Sequence, residues 1–227
     1  MKHFIEYAPT SLAEITFACP AIKTDLMDYA TGRTAGYLLL YGEPGAGKTA
    51  IAKTIAMQRT GADASIINCK NTKAGKLVAS IENEVSYQFL CCDKPTVIVD
   101  EVDVLTTKQQ GELVAKDWLI EKGATVIFIT NFEKRVDKAL RSRCGGGYEI
   151  HRLTPREALS DAHNLLVKAG VDVDKQWLLK ELQSLLPTDG SKRVDWRVFG
   201  YYLDRIIRHN SPPHPQSIPV PTLKLVK

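Results

Sequence analysis

Four short runs of the chain are apolar on both faces: residues 37–41 (Tyr-Leu-Leu-Leu-Tyr), 64–68 (Ala-Ser-Ile-Ile-Asn), 95–100 (Pro-Thr-Val-Ile-Val-Asp) and 124–130 (Ala-Thr-Val-Ile-Phe-Ile-Thr). Such runs read as strands buried from both sides. Helical stretches separate them, so the pattern predicts an α/β fold with a parallel sheet flanked by helices, and residues 148–151 as a candidate edge strand. After about His151 only helical patterns follow. Thr154-Pro155-Arg156-Glu157 is a capping box with proline at the first helical position. A second helix opens near Asp174 and a third spans residues 192–208. The expected organisation is an α/β domain over 1–151, a small all-helical domain over 152–208 and a tail over 209–227. Five prolines between residues 212 and 221 make that tail extended or disordered, suited to a linker or a docking peptide.

Chemistry enters where the first strand ends. Gly42-Glu43-Pro44-Gly45-Ala46-Gly47-Lys48-Thr49 runs from that strand into the helical stretch beginning at Ala50, which is the context of a P-loop. Glycines let consecutive N–H groups and a helix N-terminus face phosphate oxygens; Lys48 is placed to reach the β and γ oxygens, and Thr49 to offer its hydroxyl to Mg2+. Val97-Ile98-Val99-Asp100-Glu101 supplies a carboxylate at the carboxyl end of another strand, where ligands bind in open parallel sheets. Asp100 is the candidate magnesium partner, and Glu101 the candidate general base that orients water. Asn131 ends the strand after that, placed to sit beside Glu101. An asparagine at a strand end is more often a turn or cap residue.

Composition narrows the setting. With 44% hydrophobic residues, the 227-residue chain can bury a proper core. The absence of a run of about 18 apolar residues and of an apolar start places it in the cytoplasm. Its five cysteines show no Cys-x-x-Cys spacing, which reads as reduced, partly buried thiols. The net charge of +4 is too small to specify a nucleic-acid partner.

Taken together, these motifs resemble the AAA+ ATPases, and within them the small subunits of sliding-clamp loaders, replication factor C and its phage counterparts. Glu6-Tyr7-Ala8-Pro9 is similar to that family's opening Lys-Tyr-Arg-Pro, and Asp100-Glu101-Val102-Asp103, followed by Gln110, to its Asp-Glu-Ala-Asp box and next helix. Ser142-Arg143-Cys144, eleven residues beyond Asn131, resembles the Ser-Arg-Cys signature. The resemblance implies an ATP hydrolase using ATP and Mg2+, working as one subunit of a ring or arc in DNA replication. Arg143 would be an arginine finger acting in the neighbouring subunit's site. Asp195-Trp196-Arg197 resembles the second sensor, so Arg197 is expected at the γ-phosphate, with Arg193 as its competitor. Lys73, Lys76 and Lys108, near helix starts, are implied as sequence-independent contacts to the DNA backbone. The chain departs from the family at Ala8 and Val102. It also stops where a helical collar would begin, so assembly is expected to rest on ATP-bridged contacts, the tail or a partner.

Two other functions remain open at this level. One is a helicase loader or DNA-bound recruiter that docks its partner through the tail from Ser211 onward. The other is a nucleotide-dependent scaffold without useful hydrolysis, which the full set of Lys48, Thr49, Asp100, Glu101, Asn131 and Arg143 disfavours.

Overall fold

The computed structural model describes residues 6–72, 74–115, 120–187 and 190–209. Five parallel strands form one sheet: β1 (Gly36–Tyr41), β2 (Ser65–Asn68), β3 (Thr96–Asp100), β4 (Thr125–Thr130) and β5 (Tyr148–Glu149), in the order β2-β3-β4-β1-β5. Helix α1 (Pro20–Thr31) precedes the first strand, and α2 (Lys48–Thr60), α3 (Ala74–Gln88), α4 (Thr107–Leu113) and α5 (Lys138–Arg143) lie between the strands. Helices α6 (Pro155–Lys168), α7 (Lys175–Ser184) and α8 (Trp196–His209) complete the chain's described part. This is the P-loop NTPase fold, a parallel sheet flanked by helices with a helix-rich C-terminal portion.

The doubly apolar strands explain the layering. Alternate residues along a strand face opposite ways. Leu39, Val97, Val99, Val126 and Phe128 pack on one face with Leu77, Ile81 and Val85 of α3. Leu38, Leu40, Ile98, Ile127 and Ile129 pack on the other with Ile51, Ile55 and Ala56 of α2 and Leu26 of α1. Ile66, on the edge strand β2, is the strand residue that leaves a large apolar side chain exposed. A third cluster joins Leu153 to Leu165, Leu166, Leu178, Leu182, Phe199 and Leu203 of the C-terminal helices.

The capping box at Thr154 and Glu157 forms as the sequence predicts, and Asp174 caps α7 by accepting from Trp177 N–H. The last helix begins at Trp196 rather than near Lys192, because the residues before it bond elsewhere. Val194 N–H donates to Leu153 O at 2.8 Å, and Arg193 Nη1 to Arg152 O at 2.6 Å. The proline-rich tail beyond residue 209 and Lys73 lie outside the described residues.

Candidate nucleotide site

The P-loop leaves the carboxyl end of β1 and enters α2. Gly42, Gly45 and Gly47 all take positive φ, a conformation that other residues adopt only under strain. At Gly42 a Cβ would lie 2.3 Å from Ile150 O, so the loop's approach to the neighbouring segment requires glycine. The first hydrogen bond of α2 runs from Ile51 N–H to Gly47 O at 2.9 Å. The N–H groups of Lys48 and Thr49 therefore lie outside the helix's own ladder, at its positive end.

Lys48 is buried, 5% exposed, and its Nζ donates to Gly42 O at 2.9 Å and Glu43 O at 2.7 Å. Burial lowers its pKa to about 8. Arg197 and Arg152 push the same way, while Asp100 and Glu43 oppose them. Three cations thus gather at the P-loop among carboxylates, where an anion of the triphosphate type would find positive charge close at hand. Asp100 ends β3, and burial raises its carboxyl above the usual range although Lys48 and Arg197 draw it back. Thr49, on the first turn of α2, and Asp100 are a hydroxyl and a carboxylate of the kind magnesium takes beside phosphate oxygens. Among the described residues no cluster of three His, Cys, Asp or Glu side chains forms a metal cage of its own.

Glu101 has φ 60° and ψ 43°, and among the described residues no other non-glycine has positive φ. Such a conformation costs about 1–2 kcal/mol and is characteristic of functional positions. Its carboxylate is held by Lys70 Nζ and, at 3.0 Å, by Asn68 Nδ2. The Lys70 contact first, then Asn68, keep it below the usual carboxylate range. Sequence reading missed both partners. β2 lies beside β3 with Asn68 in register with Asp100, which brings them there.

Asn131 follows β4, the strand between β1 and β3, and so lies between the P-loop and the Asp100-Glu101 pair. The turn holding it is fixed by Thr130, whose Oγ1 donates to Asp103 Oδ1 at 2.6 Å and accepts from Phe132 N–H at 2.9 Å. Gln110 is buried on α4. It donates to Leu105 O and Arg135 O, both at 3.0 Å, and accepts from Asp137 N–H at 2.7 Å, so it ties the Glu101 segment to the start of α5.

Beside the P-loop, Ala46 and Ala50 share a largely apolar pocket with Ile15 and Phe17 of the N-terminal segment and Leu153 and Leu165 of the C-terminal portion. Its lining brings the N-terminal segment, the first turn of α2 and the C-terminal portion together at the P-loop. Sequence reading did not find the pocket, since its walls come from three distant segments. Of the second-sensor candidates, Arg197 acts electrostatically on Lys48, Asp100 and Glu101, whereas Arg193 is bonded to the Arg152 carbonyl.

Arg143 stands apart. It ends α5, is exposed, and borders a concavity with Ala35, Gly36 and Tyr37, at the amino end of β1. Lys76 and Lys108 are exposed on the first turns of α3 and α4. Among the cysteines, burial pushes Cys69 and Cys144 up to about 12, and all five are free thiols. Among the described residues no helix is long and apolar enough to cross a membrane.

The sheet order, the P-loop and the acidic end of β3 define a P-loop nucleotide-binding protein. Its family is the ATPase family associated with various cellular activities (AAA), to which this chain belongs through residues 38–152. Fidgetin-like protein 1 of Xenopus laevis is 32% identical over 157 residues, which cover 61% of this chain and 23% of that protein. Replication factor C small subunit 1 of Pyrobaculum arsenaticum is 25% identical over 67% of this chain and 46% of its own length. That of Pyrobaculum islandicum is 24% identical over 75% and 53%. The chain thus spans under a quarter of the fidgetin-like relative and about half of the replication factor C subunits. A RuvB variant from Thermotoga maritima shares the fold, with a TM-score of 0.65 at 20% identity over 90% of this chain and 68% of that one.

Proposed function

We propose that this protein is an ATP-hydrolysing subunit of an assembly on DNA, of the clamp-loader type, whose active sites are shared between neighbours. The carrying observation is that Arg143 and the P-loop lie at opposite ends of β1. Six strand residues span about 20 Å. An arginine there cannot serve its own subunit's phosphates, but it is exposed to serve a neighbour's.

In this reading Lys48 and the P-loop N–H groups hold the triphosphate, and Thr49 and Asp100 would hold magnesium. That ion, when bound, neutralises charge developing on the phosphate oxygens. Glu101 orients the attacking water once it leaves Lys70, and Asn131 holds that water or the γ-phosphate from the adjacent strand end. Arg197 reports the γ-phosphate to the C-terminal helices, which act as a lid. Lys76 and Lys108, near the carboxyl ends of neighbouring strands β2 and β3, with Lys73 beside them in sequence, are the candidate contacts to the DNA backbone.

A second reading, an AAA protein that recruits or remodels another client, is favoured by the higher identity to fidgetin-like protein 1. Steady-state ATP hydrolysis with and without primer-template DNA, across protein concentration, separates the two. The clamp-loader reading expects a DNA-stimulated rate that rises faster than linearly with concentration and is lost in Glu101→Gln. It also expects Arg143→Ala to bind ATP normally and lose about 10³-fold in turnover. A rate indifferent to DNA favours the second reading, and full turnover in Arg143→Ala refutes the shared site.

A further inference from the structure

A guanidinium is buried where the P-loop, the segment after β5 and the start of α8 meet. Arg152 is 7% exposed, although it lies in the short linker between β5 and α6. Its Nε donates to Pro44 O at 2.7 Å, with Glu43 Oε2 at 3.5 Å, and its Nη2 reaches Asp195 Oδ2 at 3.1 Å. Asp195 uses its other oxygen to accept from Arg197 N–H at 2.8 Å. The next residue, Trp196, donates its N–H to Gly45 O at 3.0 Å. Contact between the loop and this helix start is so close that a Cβ on Gly45 would fall 2.1 Å from Asp195 Oδ1. The outcome is a continuous path from P-loop backbone through Arg152 and Asp195 to the first turn of α8, which carries Arg197.

The resemblance that picks out Arg197 leaves Arg152 without a role. A guanidinium has a rigid planar fork, so its two acceptors are held at a fixed separation and angle, which an ammonium cannot reproduce. Here one acceptor belongs to the P-loop and the other to the helix start. We propose that Arg152 is a positioning residue that fixes Arg197 relative to the P-loop, and thereby sets how strongly the site prefers ATP over ADP. The inference rests on the reading of this site as an ATP site with Arg197 at the γ-phosphate. ATP and ADP differ in the γ-phosphate, so the ratio of their affinities reports the groups that meet it, which in this reading are Lys48, Asn131 and Arg197. Displacing the first turn of α8 should therefore lower the ratio, while P-loop contacts common to both nucleotides cancel from it.

The test is calorimetric titration of the full chain with ATPγS and with ADP, alongside melting curves. Wild type should prefer ATPγS. Arg197→Ala and Arg152→Lys should each lower the preference by about tenfold, the scale of one charge-assisted hydrogen bond. Combining them should lower it no further, because Arg152 acts through Arg197. If Arg152→Lys does not fold, Asp195→Asn, which keeps the cap and weakens the bridge, is expected to give the same loss. An unaltered ratio in the folded variant, with only a lower melting temperature, overturns the proposal as a purely structural role. So does an unaltered ratio in Arg197→Ala, or a second full loss in the double variant. Equal wild-type affinity for both nucleotides overturns it while the nucleotide site stands; no binding of either overturns the ATP-site reading as well.

Discussion

Two arginines, Arg59 and Arg152, are buried to the same degree, each 7% exposed, at opposite ends of the sheet. Arg59, at the amino end, makes four hydrogen bonds to uncharged oxygens: Thr96 Oγ1 at 2.8 Å, Tyr29 O at 2.7 Å, Thr34 O at 2.9 Å and Gly123 O at 3.0 Å. Those partners stand at the end of α1 and before or at the starts of β1, β3 and β4. Arg152, at the carboxyl end, meets a carboxylate and a P-loop carbonyl instead. The amino end of the sheet is a closed hydrogen-bonding arrangement with its charge dispersed into peptide dipoles. Its carboxyl end gathers Lys48, Arg152 and Arg197 against Asp100, Glu43 and Asp195, whose balance a phosphate would alter. One end is built to stay, the other to respond.

The hardest test of that contrast is Arg59→Leu. The substitution keeps apolar volume but takes the donor from Thr96 Oγ1 and from the part-buried carbonyls of Thr34 and Gly123, while Tyr29 O keeps the Gly32 N–H. At about 1–3 kcal/mol for each buried acceptor that finds no substitute donor, a loss of about 3–5 kcal/mol is expected after partial relaxation. Urea denaturation should show it as a lower midpoint, with nucleotide affinity unaltered in the protein that remains folded. A variant of near-normal stability would mean that the amino end is as adaptable as the other.

At the carboxyl end the expected effect is on ligand binding. The Lys48 ammonium, at about 8 rather than its ordinary 10.5, loses its proton first in the folded chain. Between those values the unfolded chain binds more protons, so this group's contribution makes stability rise with pH through that window. Phosphate has the opposite preference, since it needs the ammonium charged. ATP binding above pH 8 should therefore take up a proton, and its affinity should fall by up to about tenfold per pH unit. Calorimetry at about pH 9 in two buffers of different protonation enthalpy reads that uptake directly. Binding heats independent of buffer would show that Lys48 stays charged without a ligand.

What could be read from the sequence was whatever is local to it. The strands declared themselves as doubly apolar runs, the P-loop because its turns demand glycine within eight residues, and the cap at Thr154 because its partner is three positions on. The contacts that condition the site join residues far apart in the chain: Lys70 with Glu101 across 31 positions, Arg59 with Thr96 across 37, Arg152 with Pro44 across 108. None leaves a periodic signal, because each depends on which strands are neighbours. The order β2-β3-β4-β1-β5 puts Asn68 beside Asp100, and no spacing along the chain says so. The apolar pocket beside the P-loop was hidden for the same reason. Its apolar residues look individually like ordinary core.

The smallest expected effect lies at Lys70, and it bears on whether the carboxyl end responds through Glu101. Asp100 and Glu101 are consecutive yet pulled in opposite directions, Asp100 upward by burial and Glu101 downward by Lys70 and Asn68. A carboxylate so held is a weaker base, and the oxygens that would orient water are occupied. Lys70 is largely in solvent, so the restraint is modest: Lys70→Ala should raise the basal ATP turnover by about two- to fivefold, the range an exposed ion pair permits. Raising salt should do the same to wild type and less to the variant, because screening acts on the pair that the variant lacks. A basal rate that falls in Lys70→Ala would instead make the lysine part of the productive arrangement, and Glu101 as seen here its working position.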